Sequence, residues 1–354
     1  MLSCERLNSP YPFGMKTLPI YFAALLVSFV ARAEDAKIAV GVYFNENKIY
    51  CPADEEAFKD LQAQTSRLAK VYMNFQTWNK EWNSFSARLA TNARTHDGVF
   101  MVVWMPGAEA ENASPDWSCA AIAKGKQDDY IRQYATDLKK FGHPIMLRFA
   151  HEMNGTWYPW GTGFNKKGER QNGNDPAAYV AMWRHVWGIF KSVGASNAYW
   201  VWSTNLLFLN AQNSLAQQQA DFAALYPGDE YVDWIGLDGY NNGTKAKWKS
   251  FSELFGDSYK TITALTQKPF TLAEFGCSEK GAPAGTSKAA WIKQAYEVEI
   301  PAMPRILLVN WFDRDKTKQG ETDWRFNSSP EALSAYYTAV NSPRYQGDVN
   351  LEHR

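Results

Sequence analysis

Apolar residues fall in short blocks along this chain, separated by longer stretches of mixed character. Eight blocks rich in β-branched and aromatic residues stand at 38–44 (IAVGVYF), 69–76 (AKVYMNFQ), 98–105 (GVFMVVWM), 144–151 (PIMLRFAH), 198–204 (AYWVWST), 232–238 (VDWIGLD), 269–275 (PFTLAEF) and 305–312 (RILLVNWF). Several are almost continuously apolar, as strands covered on both faces should be. Between them the period changes. Over 176–193, Tyr179, Met182, Trp183, Val186, Trp187 and Phe190 recur at helical spacing and make one apolar stripe. Asp175 is a cap, Pro176 suits the first turn, and Gly194 sits where the helix should stop. Ser329-Pro330-Glu331 opens the last helix in the same way. Helical patterns also fit near 54–68, 79–95, 127–141, 214–225, 251–266 and 287–299.

Strand and helix alternating eight times predict an α/β fold, a single (β/α)8 TIM barrel. A doubly wound open sheet is the alternative. It calls for a Gly-rich phosphate loop after an early strand, and neither GxGxxG nor GxxxxGK[ST] occurs. The polar, Gly-rich stretch 161–175 (GTGFNKKGERQNGND) follows the fourth strand, and its length suggests a loop bordering a site.

The first 33 residues read differently. Lys16, the apolar run 18–30 and Ala31-Arg32-Ala33 have the layout of a secretory signal peptide, with cleavage expected after Ala33. The run is short for a membrane span, which needs about 20 residues. Residues 1–14 suit a signal start poorly, so Met15 reads as the better initiator. The expected organisation is therefore a signal peptide over 1–33 and a catalytic domain over 34–354, in a secreted or periplasmic protein. Cys51, Cys119 and Cys277 lie beyond the cleavage site, and Cys51–Cys119 is the preferred disulfide pair.

Charge narrows the partners. Lys+Arg and Asp+Glu number 37 each, so no basic field exists to hold a polyanion. Aromatic content is high at 15%, with 15 Trp, enough for some rings to meet a ligand as well as the core.

Barrel enzymes carry catalytic groups at the C-terminal ends of their strands. Two acids stand there: Glu152, ending the fourth strand, and Glu274, ending the seventh. Both follow near-continuous apolar runs, where an acid is costly unless used or paired. Two carboxylates facing one another can divide the work, one as general acid and the other as nucleophile. Aromatic faces pack on the C–H faces of sugar rings. Trp157 and Trp160 lie just past Glu152, and Trp78, Trp104, Trp202 and Trp311 lie near other strand ends. Asp238 and Tyr240 share one side of the sixth strand. A Tyr240 hydroxyl near Glu274 would favour its ionised form. Asn205 can bond a sugar hydroxyl, and His151 and Asn154 flank the first acid. His151-Glu152 begins no HExxH, since residue 155 is Gly, so no metal is expected.

Arg148–Trp160 (RFAHEMNGTWYPW) resembles the acid/base signature of glycoside hydrolase family 26. Tyr226–Tyr240 (YPGDEYVDWIGLDGY) and Leu272–Gly276 (LAEFG) resemble two further segments of that family in the same order. The resemblance implies a barrel with its acid/base on strand 4 and its nucleophile on strand 7. It also implies retaining hydrolysis of a β-linked polysaccharide, β-1,4-mannan or mixed-linkage β-1,3-1,4-glucan. By that likeness Glu152 is the acid/base, Glu274 the nucleophile, His151 a residue lining the site, and Trp157 and Trp311 sugar platforms. Asp238 and Tyr240 would contact substrate and nucleophile. Mannanases of the family often carry Arg after the strand-8 Trp. Phe312 follows Trp311 here, and the wording of the motifs is closer to the glucanase branch.

The expected partner is a polysaccharide, with no cofactor, no nucleic acid, no stable membrane anchor and a monomeric chain. A barrel that binds polysaccharide without cutting it, a transglycosylase, and a hydrolase of another β-glycan or exopolysaccharide stay open as alternatives.

Overall fold

The computed structural model describes residues 37–44, 63, 69–78, 85, 87–107, 115–165, 167–170, 173–207 and 214–351. The expected signal segment, Cys51 and nearly all of the helix expected over 54–68 lie outside the described residues.

Eight strands close into a barrel in chain order: β1 (Ala39–Phe44), β2 (Val71–Thr77), β3 (Val99–Met105), β4 (Ile145–Phe149), β5 (Ala198–Asn205), β6 (Trp234–Asn241), β7 (Phe270–Cys277) and β8 (Ile306–Asp313). Every neighbouring pair is parallel, and β8 returns to pair with β1. The α-helices among the described residues are α1 (Ala87–Thr95), α2 (Cys119–Ala123), α3 (Asp128–Phe141), α4 (Pro176–Val193), α5 (Leu215–Leu225), α6 (Phe251–Leu265), α7 (Lys288–Gln294) and α8 (Pro330–Val340). The architecture is a (β/α)8 barrel. All eight strands lie where the apolar blocks place them. The short α2 was not expected, and the helix expected over 287–299 changes to π geometry over Ala295–Glu299.

Local chemistry accounts for the helix ends. In α4 the Asp175 side chain accepts from the Ala178 N–H at 2.7 Å, Pro176 occupies the first turn, and Gly194 closes the helix in a left-handed conformation. Its inner face buries Tyr179, Met182, Trp183, Val186, Ile189 and Phe190, each contributing about 1.5–3 kcal/mol on burial. In α6, Ser250 and Glu253 form a reciprocal capping box.

Strand alternation divides the core into two layers. Outward side chains such as Phe100, Val102, Leu147, Trp200, Leu237 and Val309 pack against the helices. Inward ones such as Val71, Met101, Val103, Met146, Val201 and Leu308 fill the lumen. Toward the C-terminal end of the strands this filling turns polar, and there the candidate site begins.

Candidate active site

β4 reads IMLRF and is buried throughout, and its period of two turns Met146 and Arg148 into the lumen. A guanidinium without solvent needs partners. Arg148 has them on three strands. Nη1 donates to Glu274 Oε1, Nη2 to Asp238 Oδ2, and Nε to Ser203 Oγ at 2.7 Å. Burial alone would lower its pKa, but the charges of Asp238 and Glu274 raise it, so Arg148 is a fixed cation.

Glu274 reaches this cation through an irregularity. Along β7, Phe270 and Leu272 face the helices and Thr271 faces the lumen, where Asn310 donates to its hydroxyl. Strict alternation would make Ala273 the next inward residue and send Glu274 outward. The register slips between Leu237 and Asp238 on β6, and between Leu272 and Phe275 on β7, so β7 holds one extra residue. This bulge turns Ala273 and Glu274 both inward and restores Phe275 to the outer layer. Glu274 is 5% exposed. Its second oxygen accepts from the Tyr240 hydroxyl at 2.5 Å. Burial, then the Glu274 charge, push the Tyr240 pKa well up, so the phenol keeps its proton and donates.

Glu152 stands where the chain leaves β4. Ala150 and Glu152 both adopt positive φ, 43° and 52°, which is sterically disfavoured for residues other than glycine. The turn is fixed by the Glu152 N–H donating to Ser203 O at 2.9 Å. Glu152 is 6% exposed. Oε1 accepts from Asn205 Nδ2 at 2.5 Å and Oε2 from Trp157 Nε1 at 2.6 Å. Burial pushes its pKa up to about 7, helped by the Glu274 charge and opposed by Arg148, Trp157 and Asn205. Burial also raises Asp238, with Glu274 and Glu152 adding to it against the pull of Arg148.

Trp157 is the one expected platform with an open face. A Cβ on Gly155 would lie 2.5 Å from its ring, so the glycine lets the indole rest on the backbone. Glu152 pins its N–H, and the residue is 48% exposed. The other tryptophans expected in the site are corrected. Trp78, Trp104, Trp202 and Trp311 are fully buried in the layer between strands and helices. Trp104 stacks on Tyr134 of α3, and the Trp311 ring packs against Phe275 and Tyr336 of α8. They have no free ring face for a sugar. Trp160 is also buried; it stacks on Tyr158 at 4.5 Å and donates to His151 O, bracing the turn that carries Glu152.

The remaining expected residues divide similarly. His151 packs between Tyr158 and Phe75 with Nε2 3.1 Å from the Tyr158 hydroxyl. Burial, then Arg148, lower its pKa well below normal, so it is a neutral imidazole. Asn154 spends its amide on backbone, donating to Asn205 O and Leu206 O and accepting from the Asn205 N–H. It positions Asn205 and does not present its amide to a ligand. Cys119 carries a free, fully buried thiol 3.6 Å from Trp160 O, contrary to the expected Cys51–Cys119 disulfide. Burial raises its pKa beyond the usual thiol range.

Sequence reasoning missed Arg148, although a charged residue at an inward position of an apolar strand was its signal. It also missed Phe312 and Trp324, which surround Tyr240 with ring centroids at 5.5 and 4.7 Å. Among the described residues no group of three or more His, Cys, Asp or Glu is placed to hold a metal ion. None of their helices is long and apolar enough to cross a membrane.

The cluster thus offers one acid with a raised pKa, one carboxylate whose two oxygens both accept hydrogen bonds, a buried cation and an open aromatic face. Comparison with known proteins agrees with this chemistry. Endoglucanase H of Acetivibrio thermocellus is 34% identical over 292 residues, 81% of this chain and 29% of that protein. A mannan endo-1,4-beta-mannosidase of Bacillus subtilis is 32% identical over 145 residues, 40% of this chain and 33% of that protein. The chain therefore spans about a third of the length of these relatives. Among solved structures, the modular endo-β-1,4-mannanase of Cellulomonas fimi superposes with a TM-score of 0.64 at 18% identity, covering 91% of this chain and 74% of that one. The family 26 β-mannanase of Bacteroides ovatus superposes with a TM-score of 0.60 at 14% identity, covering 91% and 93%. At such identities the superpositions speak for the fold alone. Residues 114–297, which include both carboxylates, match the profile of glycosyl hydrolase family 26, and the chain belongs to that family.

Proposed function

We propose that this chain is an exported, retaining endo-β-glycan hydrolase that cleaves β-1,4 linkages of mixed-linkage β-1,3-1,4-glucan. The observation that carries the reading is the contrast between its two buried acids: Glu152 with a pKa raised to about 7, and Glu274 bonded to Arg148 and Tyr240. Glu274 attacks the anomeric carbon as Glu152 passes its proton to the departing glycosidic oxygen. A covalent glycosyl-enzyme results. Glu152, now a base, removes a proton from water, and the water oxygen displaces Glu274 from the same carbon. Arg148 stays paired with Asp238 throughout and accompanies the changing charge on Glu274. Trp157 supports the leaving sugar, with its N–H on the acid.

Glucan is favoured over mannan by two observations. Endoglucanase H matches over 81% of this chain, against 40% for the B. subtilis mannosidase. Phe312, at the position where mannanases often carry Arg, stacks on Tyr43 at 4.8 Å. The test is reducing-sugar release from barley mixed-linkage glucan and from soluble β-mannan, with Glu152→Ala and Glu274→Ala as controls. Release from the glucan, lost in both variants, with a product first formed as the β-anomer by NMR, is the expected result. Release from mannan alone overturns the substrate, and a first-formed α-anomer overturns retention. Binding of either polymer without release identifies a non-catalytic barrel.

A further inference from the structure

Tyr240 donates to Glu274 from the edge of its ring, so that bond is only as steady as the ring behind it. The ring rests on two others, Phe312 at 5.5 Å and Trp324 at 4.7 Å. Phe312 belongs to β8, which is paired on both sides within the barrel. Trp324 lies in the connection between β8 and α8 and belongs to no strand or helix. Its backbone must be held by other means.

Every peptide group around Trp324 is tied. The connection turns back on itself with Asp315 bridged to Asp323, and it brings Trp324 into the lumen layer, 3% exposed. Trp324 N–H donates to Arg314 O at 2.9 Å, and Trp324 O accepts from Trp311 Nε1 at 2.8 Å. Arg325 N–H donates to Asp323 Oδ1 at 3.1 Å. The next peptide group is gripped from both sides by ionisable side chains. Phe326 N–H donates to Asp313 Oδ1 at 3.0 Å, and Arg325 O accepts from Lys288 Nζ at 2.6 Å. Asp313 ends β8 and Lys288 opens α7, so the grip joins the connection to two separate elements. Phe326 then turns to the outer layer and stacks on Tyr336 of α8 at 4.4 Å.

Lys288 is an expensive residue in this place. It is fully buried, and it stands in the first turn of a helix, where the dipole disfavours a cation. Its second contact, Ser328 Oγ at 2.8 Å, is a neutral oxygen like the first. Ser328 Oγ in turn donates to Glu279, just past β7, at 2.8 Å. Burial lowers the Lys288 pKa, opposed by the charges of Glu279, Asp323 and Asp313. An apolar residue of the same length would avoid the cost of burying the charge. What the ammonium adds is its hold on the peptide two bonds along the backbone from Trp324.

We propose that Lys288 and Asp313 are positioning residues for the nucleophile: by gripping the Arg325–Phe326 peptide from both sides they seat Trp324 against Tyr240, and so keep the Tyr240 hydroxyl on Glu274. The proposal rests on the hydrolase reading above. Both residues act through Trp324 and Tyr240, not on the sugar. The bonds from Trp311 and Arg314 remain when either is removed, so the loss is partial and smaller than that from removing the Tyr240 hydroxyl itself.

The test is a double-mutant cycle on barley mixed-linkage glucan, or on soluble β-mannan if that is the polymer cleaved. Lys288→Met should lower kcat about three- to tenfold, the size of one neutral hydrogen bond, with KM within about twofold of wild type. In a Tyr240→Phe background, where the hydroxyl to be positioned is gone, the same change should cost less than about twofold. Asp313→Ala should behave like Lys288→Met, and Asp313→Asn, which keeps an oxygen for the Phe326 N–H, should recover most of that loss. Equal losses with and without the Tyr240 hydroxyl overturn the proposal in favour of a general structural role. Wild-type rates in both Lys288→Met and Asp313→Ala overturn it outright. Thermal melting identifies a variant that does not fold, and where Lys288→Met fails, Asp313→Ala carries the same cycle. If wild-type protein cleaves neither polymer, the hydrolase reading fails first and this proposal with it. If wild type cleaves one and the losses are independent of Tyr240, only this proposal fails.

Discussion

Glu152 and Glu274 are buried alike, at 6% and 5% exposure, yet the molecule treats them differently. Glu274 sits on a strand, is aimed by a bulge, and is bonded to a buried cation and a phenol. Glu152 sits on a turn with positive φ, and its donors are a neutral amide and a neutral indole. Burial acts on both acids. One has a full positive charge in direct contact; the other has only neutral donors in contact, with Arg148 acting on it from further away. Opposite chemical roles can therefore follow from neighbours alone.

The sharpest way to break this comparison is to remove each acid in turn. Glu274→Ala should lower kcat on the order of 10⁴-fold or more on every substrate, since no other group can form the intermediate. Glu152→Ala should cost about 10²–10⁴-fold on polysaccharide. It should cost far less on an aryl glycoside with an acidic phenol, which departs without a proton. Added azide should restore turnover to Glu152→Ala and yield the β-glycosyl azide. Equal losses for both variants on both substrates would show that the two acids do not divide the work.

Arg148 is the next point of attack, because the asymmetry depends on it. Arg148→Met leaves Asp238 and Glu274 buried without their cation, a loss of about 3–5 kcal/mol and a melting point lower by roughly 10 °C. Arg148→Lys keeps the charge but cannot serve Glu274, Asp238 and Ser203 from one planar fork. It should recover part of the stability and little of the activity. Melting curves and rates of the two variants check this, and an unshifted Arg148→Met would show that the buried pairs contribute nothing net.

The contrast also marks what the chain made readable. Eight short apolar blocks, rich in β-branched and aromatic residues, sufficed for the barrel, because strands covered on both faces read that way. The same continuity hid which face each residue takes. Trp104 and Met105, or Trp311 and Phe312, look equivalent in sequence, yet one of each pair faces helices and the other the lumen. The tryptophans placed in the site by position at a strand end were therefore misassigned by one residue of parity. Glu274 was placed in the site for a reason that alternation alone would contradict, since only the bulge in β7 turns it inward. Trp157 and Asn205 lie outside the strand blocks or at their ends, where side-chain direction is less ambiguous.

Tyr240→Phe removes one neutral donor from Glu274 and leaves the ring among Phe312 and Trp324. A hydrogen bond to a charged group is worth about 1.5–3 kcal/mol, so kcat/KM should fall roughly 10- to 100-fold with little change in melting point. An effect below twofold would mean that Arg148 alone sets the character of Glu274.

The smallest expected effect is the most specific to Glu152. Its catalytic form in the first step is the protonated acid, so kcat/KM should fall as pH rises through about 7. Asn205 and Trp157 donate to the ionised carboxylate and so work against the burial that raises its pKa. Deleting either donor favours the protonated form, and the alkaline limb must move up, not down. Asn205→Ala should shift it by about half a unit to one unit, since one unit corresponds to 1.36 kcal/mol. Trp157→Phe should shift it in the same direction while keeping an aromatic surface for the leaving sugar. An alkaline limb that stays in place in both variants would mean that the neutral donors on the turn do not set the protonation of Glu152, and the division between a turn with neutral donors and a strand with a buried cation would not set the roles of the two acids.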